Sequence, residues 1–303
     1  MQRSLSAAIL AALLAGSCSM PEEPAPSASS GQPAEAPAAG VYLAAGTPEE
    51  AVPEDAEVEE AAEPVVRSEP DPRAAAAVKA MADALRKAGT FSVRIESWSD
   101  DPTAEGGFVS VPTMGTITVR RPNGVFGERH SDRGRRKFWY DGKSFSALDV
   151  DRGMHATVEA PPTIEGTVDM LKERFGLVLP LADLLVDDPA DSYTKHADAV
   201  DYHGVHPVNG VPCHHLGFSS SWLAWQIWIA AEGDAVPRRV QISYLDEPGD
   251  PRYVAELSDW KLGVPVAASD FTFVPPAGST AVVLAPVVAA AEAAPAAPAE
   301  GGK

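Results

Sequence analysis

Cysteine and basic residues are both scarce in this sequence. Its 303 residues include two cysteines, and 24 Lys and Arg stand against 43 Asp and Glu, which gives a formal net charge of −19. Two cysteines exclude the disulfide framework of a small secreted domain. We also expect no nucleic acid partner, because such binding depends on basic residues that neutralise phosphates.

Signatures of common enzymes are missing as well. The sequence contains no Gly-x-Ser-x-Gly nucleophile motif, no phosphate-binding Gly-rich loop and no His-Glu-x-x-His metal motif. We therefore assign no catalytic residue from the sequence and expect no cofactor.

Apolar runs are short. The first, Leu5–Leu14, follows Arg3 and precedes small residues and Cys18. It is far below the roughly 20 residues that a membrane-spanning helix needs. A basic residue, a short apolar run and small residues in this order are typical of an export signal, which we predict at residues 1–18.

The same segment resembles a bacterial lipoprotein signal, in which the cysteine after the small residues becomes the lipidated first residue of the mature protein. Cys18 would be that residue and would anchor the protein to a membrane. Such signals usually carry Leu where this sequence has Ala15, so cleavage after Ser17 by an ordinary signal peptidase is the alternative. We expect an exported, periplasmic protein, and Ser19 after the cysteine resembles outer-membrane sorting.

Two segments lack the composition of a folded domain. Residues 19–70 are rich in Pro, Ala and Glu, with Arg67 as their only basic residue, and residues 279–303 are rich in Ala and Pro. Such segments bury too little apolar surface to offset their ordering entropy, and like charges extend them. We predict a disordered acidic tether at 19–70 and a disordered tail at 279–303.

Residues 71–278 hold all six tryptophans and are predicted to form one domain. Asp71-Pro72 is a helix start, and Gly89 ends the helix. Short patterns of alternating apolar and polar residues then recur up to Val274, which predicts about eleven strands in an antiparallel arrangement.

Two turns fix candidate hairpins. Asp141-Gly142 predicts a type I′ turn that pairs Tyr140 with Lys143 and Phe138 with Phe145, which puts Phe138, Tyr140 and Phe145 on one sheet face. A second hairpin is predicted at Asn209-Gly210.

Helical patterns interrupt the strands. Apolar residues recur at helical spacing over 163–175, Gly176 ends that helix, and a second apolar turn follows at Leu181–Val186. Helices inserted between antiparallel strands most simply lie across one face of the sheet. The sequence therefore predicts a mainly β fold of the α+β class with helices covering one face.

One predicted strand, Leu223–Ile229, is more apolar than its neighbours and is expected to be covered on both sides. Its apolar stripe belongs either to a packed core, the more common use of such a stripe, or to the lining of an apolar ligand site. The candidate lining residues are Phe138, Tyr140, Phe145, Trp225, Ile227 and Ile229.

Histidines cluster around the second hairpin. Pairing across it places His206, Cys213 and His215 on one face, and His203 and His214 on the other. A thiolate and two imidazoles suit zinc or copper, but a fourth ligand is missing and the spacing matches no recognised zinc motif. Packing or solvent contact is the alternative role for these side chains.

Five motifs resemble one known family in content and order. They are Phe138–Lys143, Arg174–Leu185, Asn209–Leu216, Trp225–Ile229 and Asp270–Gly278. Together they resemble DUF2092, a family of predicted periplasmic proteins, over nearly all of residues 71–278.

The resemblance implies a fold similar to the LolA and LolB lipoprotein carriers. Those proteins are unclosed antiparallel β-barrels whose open face is covered by helices, with an apolar cavity that accepts acyl chains. It implies a lipid or a lipidated protein as ligand or partner, by analogy of fold alone.

Three hypotheses for function follow. The first is a non-enzymatic lipoprotein, anchored through Cys18, that binds a lipid, an acyl chain or another apolar ligand in a half-barrel. The second is a structural module with a filled core that docks a protein partner. The third is a metal-dependent or thiol-dependent enzyme centred on Cys213.

Overall fold

The computed structural model describes residues 71–284 and Pro286. The predicted export signal with Cys18, the predicted tether at 19–70 and most of the predicted tail lie outside these residues.

Five helical segments occur in the described residues. The α-helices are α1 (Pro72–Ala88), α2 (Ile164–Phe175) and α3 (Pro189–Thr194), and two 3-10 helices span Ala182–Leu184 and Ala268–Phe271. In this part of the chain no helix combines the length and the apolar character needed to cross a membrane.

The first two helices begin and end where the sequence predicts. The Asp71 carboxylate accepts a hydrogen bond from the backbone N–H of Arg73 at 2.7 Å, and Gly89 follows the last turn of α1 with a φ of 65°. Thr163 caps α2 in the same way, and Gly176 ends it in the left-handed region.

Twelve strands are present in residues 71–284. They are β1 (Thr90–Pro102), β2 (Phe108–Arg120), β3 (Gly124–Ser131), β4 (Gly134–Tyr140), β5 (Ser144–Asp149), β6 (Met154–Glu159), β7 (Ala199–Val208), β8 (Val211–Ser219), β9 (Leu223–Ala230), β10 (Pro237–Tyr244), β11 (Arg252–Leu262) and β12 (Thr280–Ala281).

The strands form one sheet in the order β12, β6, β5, β4, β3, β2, β1, β11, β10, β9, β8, β7. All neighbours are antiparallel except β12, which runs parallel to β6. The two edge strands of the described residues, β7 and β12, do not pair with each other, so the sheet is not closed. The predicted mainly β, unclosed antiparallel fold is confirmed, with twelve strands rather than about eleven.

Alternation along the strands gives the sheet an inner face, which contacts the helices, and an outer face. One row of paired residues crosses five strands of the inner face. It consists of Phe91, Val119, Val125, Tyr140 and Phe145, all buried. This row joins the packing of α1 and α2 into one apolar core.

The register of the hairpin between β4 and β5 differs from the prediction. Tyr140 pairs with Phe145 rather than with Lys143, so four residues, 141–144, lie between the paired positions. The difference is an even number of residues, and side chains alternate with a period of two. Phe138, Tyr140 and Phe145 therefore share one face, as predicted.

The two predicted turns differ in backbone geometry. Asn209 and Gly210 have φ values of 48° and 80°, as a type I′ turn requires. In the other turn only Gly142 has a positive φ, and the Asp141 carboxylate accepts a hydrogen bond from the backbone N–H of Ser144 at 2.9 Å. This side-chain bond selects a wider turn than type I′.

The chain continues in regular structure beyond Gly278, where the predicted domain ends. Phe273 packs on the outer face, with its ring centroid 4.9 Å from that of Trp139 and 5.3 Å from that of His155. β12 then pairs with the start of β6, and Leu284 is buried in the core. We call residues 273–284 the C-terminal strap. It covers the β6 edge of the sheet.

Strand β7 forms the other edge of the sheet. Its pairing with β8 shifts register between Tyr202 and Gly204, and Gly204 has a φ of 107°. Three residues further, Pro207 has no backbone N–H to donate. The free edge of β7 is therefore bent and lacks one backbone N–H donor.

A glycine makes close packing possible on the inner face. Gly127 pairs with Phe138, whose ring lies directly over the glycine backbone, so an added Cβ would overlap the ring. We expect Gly127→Ala to lower the free energy of unfolding by about 1–3 kcal/mol through overpacking. Urea unfolding of the purified protein measures this change.

The matched control is Gly107→Ala, because a Cβ there meets only the Thr103 hydroxyl at an ordinary 3.6 Å. That variant should stay within about 0.5 kcal/mol of the original protein. Equal destabilisation by both substitutions would contradict the proposed overlap with Phe138.

Candidate functional site

The candidate site is the inner face of the sheet and the segment that covers it. We define the lid as residues 177–185, which follow α2 and include one 3-10 helix. Its leucines all pack into the core: Leu177, Leu179, Leu181, Leu184 and Leu185. The lid thus presents an apolar surface to the inner face.

One arginine, Arg121, directly follows strand β2 and binds backbone carbonyls of the lid. The Arg121 guanidinium donates to the carbonyl oxygens of Leu185 at 2.6 Å and Leu184 at 2.9 Å, and also to that of Val186. Burial lowers the pKa of Arg121, and its Nε atom is buried without a partner. We call these three hydrogen bonds the latch: one half-buried guanidinium satisfies two lid carbonyls and the carbonyl of Val186, the next residue.

Helix α1 holds the segment that follows the lid. Arg86 Nε donates to the Asp187 carbonyl oxygen at 3.4 Å, and an Arg86 Nη lies 3.4 Å from the Asp188 carboxylate. Both arginine and aspartate are largely exposed, so this contact stabilises the lid less than the Arg121 bonds do.

Little free space remains beneath the lid. A space of about 30 Å³ lies between Leu181, Leu184 and Leu185 of the lid and strand residues that include Phe91 and Ile117. A space of this size has room for about one or two water molecules, so an acyl chain has no room while the lid is in place.

The six predicted lining residues all point to the inner face. Tyr140, Phe145, Trp225, Ile227 and Ile229 are buried in the core, and Phe138 packs against it. None of the six borders the space beneath the lid. Their role as ligand contacts stays a prediction.

A second space of about 150 Å³ lies by the outer face, beside Trp98, Met114 and His130. Trp98 and Met114 are exposed, so this surface offers an apolar contact that is independent of the lid.

Histidines meet on the outer face near the β7–β8 hairpin. His206 Nδ1 lies 3.1 Å from His215 Nδ1, and His215 Nε2 lies 2.8 Å from the Gln226 side-chain oxygen. The prediction for His203 is wrong: its ring centroid lies 4.7 Å from that of His215, because the bulge in β7 reverses the alternation. His214 keeps the predicted opposite face.

Cys213 pairs with His206 across the hairpin and lies on the same outer face, as predicted, but the two histidines bond to each other and to Gln226 rather than to its thiol. Its thiol is buried and donates to the Val211 carbonyl oxygen at 3.2 Å. Burial raises the pKa of this thiol, which disfavours the thiolate that a metal or a nucleophilic reaction needs. Over the described ranges, no three His, Cys, Asp or Glu side chains are placed to hold a metal ion.

Sequence reasoning missed Arg121 and α3. Arg121 stands at the end of β2, where a charged residue is ordinary, so the sequence offers no signal for its distant partners. For α3 a signal exists, because Asp188-Pro189 is a helix start of the same type as Asp71-Pro72.

The latch predicts a local effect of Arg121→Met. Loss of the bonds to the lid carbonyls should raise amide hydrogen exchange over residues 177–187 and lower the free energy of unfolding by about 2–4 kcal/mol. Exchange mass spectrometry shows where exchange rises, and urea unfolding measures the change in the free energy of unfolding.

The control is Arg94→Met, which removes an exposed ion pair with Glu96. It should change neither the exchange of the lid nor the free energy of unfolding. Unchanged exchange in the lid of Arg121→Met would contradict the latch.

The histidine cluster predicts acid sensitivity. Burial lowers the pKa of His215, the hydrogen bond with Gln226 raises it, and nearby His203, His206 and Arg239 lower it further. With its pKa lowered on folding, His215 binds fewer protons in the folded than in the unfolded protein. Its contribution to stability is therefore present above about pH 6.5 and is lost as the pH falls below that value.

We expect His215→Gln to flatten the dependence of unfolding free energy on pH between about pH 7 and pH 5. Denaturant unfolding at several pH values measures the slope. His196→Gln, at an exposed site, should keep the original slope. A slope in His215→Gln as steep as in the original protein would remove His215 as the cause.

Comparisons with solved structures find similar proteins at low identity. The lipoprotein LppX from Mycobacterium tuberculosis is 15% identical with a TM-score of 0.41, over 65% of this chain and 99% of that one. A chain of the Pseudomonas aeruginosa MucA/MucB complex is 13% identical with a TM-score of 0.36, over 67% of this chain and 61% of that one. The LolA superfamily protein NE2245 from Nitrosomonas europaea is 9% identical with a TM-score of 0.35, over 66% and 97%.

A search of curated proteins finds no match to the sequence. The comparison with family models is more specific. A family model described as a predicted periplasmic protein, DUF2092, matches residues 74–285, from the first turn of α1 to the C-terminal strap. The resemblance in the five sequence motifs is thereby confirmed, and the chain belongs to the DUF2092 family of predicted periplasmic proteins.

Proposed function

We propose that this protein is a non-enzymatic periplasmic protein that binds an apolar ligand, a lipid or an acyl chain, on the inner face of its sheet. The observation that carries the proposal is the lid. Five leucines cover the apolar inner face, and a single side chain, Arg121, donates three hydrogen bonds to backbone carbonyls at the end of the lid, those of Leu184, Leu185 and the following Val186.

The exchange of lid for ligand is energetically balanced. Removal of the lid exposes its leucines and the strand residues beneath them, and each buried CH₂ contributes about 0.8 kcal/mol. An acyl chain that takes the same place restores the apolar contact on the sheet. The removal of the acyl chain itself from water offsets the exposure of the lid leucines. The remaining cost is the loss of the Arg121 bonds, which water can replace at the carbonyls.

Family membership and the predicted signal support a place in the cell envelope. In this proposal Cys18 carries the lipid anchor, residues 19–70 give the domain reach from the outer membrane, and Phe138, Tyr140, Phe145, Trp225, Ile227 and Ile229 contact the ligand.

A second candidate function is favoured by the filled interior. The space beneath the lid is only about 30 Å³, as expected for a module that docks a protein partner and binds no small molecule. In that case the lid would be a permanent part of the core.

Binding of an uncharged fluorescent probe distinguishes the two functions. We expect the full chain, stripped of lipid, to bind N-phenyl-1-naphthylamine with a saturable rise in fluorescence, because the probe buries its rings on the inner face. Amide exchange over residues 177–187 should rise on binding, since the lid must leave.

Trp98→Ala is the matched control, because it shortens an apolar side chain of the outer face and leaves the lid intact. It should keep the affinity of the original protein. Absence of saturable binding, or binding that Trp98→Ala abolishes, would sink the proposal and favour the docking module.

A further inference from the structure

Exposed apolar side chains gather at the end of the sheet opposite to the lid. The space beneath the lid is lined from the start of β1 and the end of β11, at Phe91 and Trp260. Trp222, Leu245 and Phe108 stand at the other end of these antiparallel strands and are 45%, 41% and 39% exposed. Large apolar residues that are grouped on a surface, unlike scattered ones, indicate a site of interaction.

The three residues belong to one continuous surface. The backbone N–H of Leu245 donates to the Trp222 carbonyl oxygen at 3.0 Å, which extends the pairing of β9 with β10 by one residue. The turn that follows Leu245 then reaches the hairpin between β1 and β2. There Gly249 lies so close to the Phe108 ring that an added Cβ would stand 2.9 Å from it.

Acidic residues border this apolar surface. They are Glu105, Asp246, Glu247 and Asp250, and all four are exposed. Within the part of the chain that the structure describes, none of the four forms an ion pair, and Arg252, which follows the turn, is already bonded to Asp100. We call residues 105–109, 222 and 245–250 the acidic rim.

Backbone hydrogen bonds fix the turn that carries three of these acids. The N–H of Glu247 donates to the Tyr244 carbonyl oxygen at 3.3 Å, and the N–H of Asp250 donates to the Glu247 carbonyl oxygen at 3.1 Å. Tyr244 in turn packs against the core. A surface that is held in this way loses little conformational entropy when a partner binds to it.

The charge of the acidic rim limits what can cover its apolar residues. A second copy of the chain has a net charge of −19, and residues 19–70 contain Arg67 as their only basic residue, so both would bring further acidic groups. An anionic bilayer would be repelled in the same way. A protein segment with Lys or Arg beside an apolar side chain has the complementary charge and can bury Trp222.

We propose that the acidic rim is a docking surface for a protein partner that presents an apolar side chain between Lys or Arg residues. The apolar side chain packs on Trp222, Leu245 and Phe108, and the basic side chains pair with the carboxylates around them. Because this surface lies at the end of the sheet opposite to the lid, a partner can dock while the lid stays in place. The proposal goes beyond the binding of an apolar ligand and does not depend on it.

A pair of labelled peptides tests the chemistry of the partner. The probe is a short fluorescein-labelled peptide in which Lys and Leu alternate, and its counterpart carries Glu at every Lys position. Fluorescence anisotropy measures the binding of each peptide to the full chain. We expect the Lys peptide to bind saturably and about tenfold or more tighter than the Glu peptide, and to bind more weakly as salt rises.

Two pairs of variants locate the contact. Leu245→Ala should weaken the binding of the Lys peptide about fivefold, and Val205→Ala, at an exposed site on β7, should keep the original affinity. Glu247→Lys should weaken binding about tenfold. Glu173→Lys, at an exposed site on α2, changes the net charge equally and should have little effect. Circular dichroism verifies that each variant is folded.

Three results would overturn the docking surface. Equal affinity for the two peptides, or equal losses in Glu247→Lys and Glu173→Lys, would mean that net charge alone attracts the probe. Binding to phosphatidylcholine vesicles that Leu245→Ala weakens would assign the apolar residues to a membrane. A dimer in sedimentation that Leu245→Ala dissociates would assign them to a second copy of the chain.

The same variants separate this proposal from the proposed function. Binding of N-phenyl-1-naphthylamine reports on the inner face, and Leu245→Ala and Glu247→Lys should leave it unchanged. Loss of probe binding in the original protein would remove the apolar ligand and leave the docking surface standing. Loss of peptide binding would remove the docking surface and leave the apolar ligand standing.

Discussion

An open sheet of twelve strands has an apolar inner face that its own strands cannot cover, because β7 and β12 do not meet. Burial of that face is the constraint on which the other elements depend. α1, α2 and the lid supply apolar side chains from one direction, and the C-terminal strap adds Leu284 at the β6 edge. Each covering element contributes a face or a few residues, so none forms a core independently of the sheet.

The covering elements are held in different ways. α1 and α2 are anchored by broad apolar faces that no single polar bond controls. The lid is short, exposes Val178, and depends on the bonds from Arg121 to its carbonyls. Polar bonds of this kind are strong where water is absent and easily exchanged when water enters. In the proposed function the lid is the covering element that leaves, while the rest of the domain remains folded.

Local signals in the sequence were sufficient for much of the fold. The caps of α1 and α2 and the turn at Asn209-Gly210 are short-range features, and the structure confirms them. The predicted type I′ turn at Asp141-Gly142 was wrong because the Asp141 side chain bonds to the turn backbone and selects a wider turn. The predicted face of His203 was wrong because one extra residue in β7 reverses the alternation of side chains. The contact of Arg121 with the lid joins residues that lie more than 60 positions apart in the sequence, and no local pattern specifies it.

The bent edge at β7 has a consequence for how the protein behaves among copies of itself. A straight edge strand is a template on which another chain can extend the sheet, and repeated addition leads to fibrils. Here the register shift at Gly204 and the missing donor at Pro207 allow an incoming strand only a few ladder bonds before the two chains diverge. The domain can therefore leave one side of its sheet open and still resist aggregation through that side.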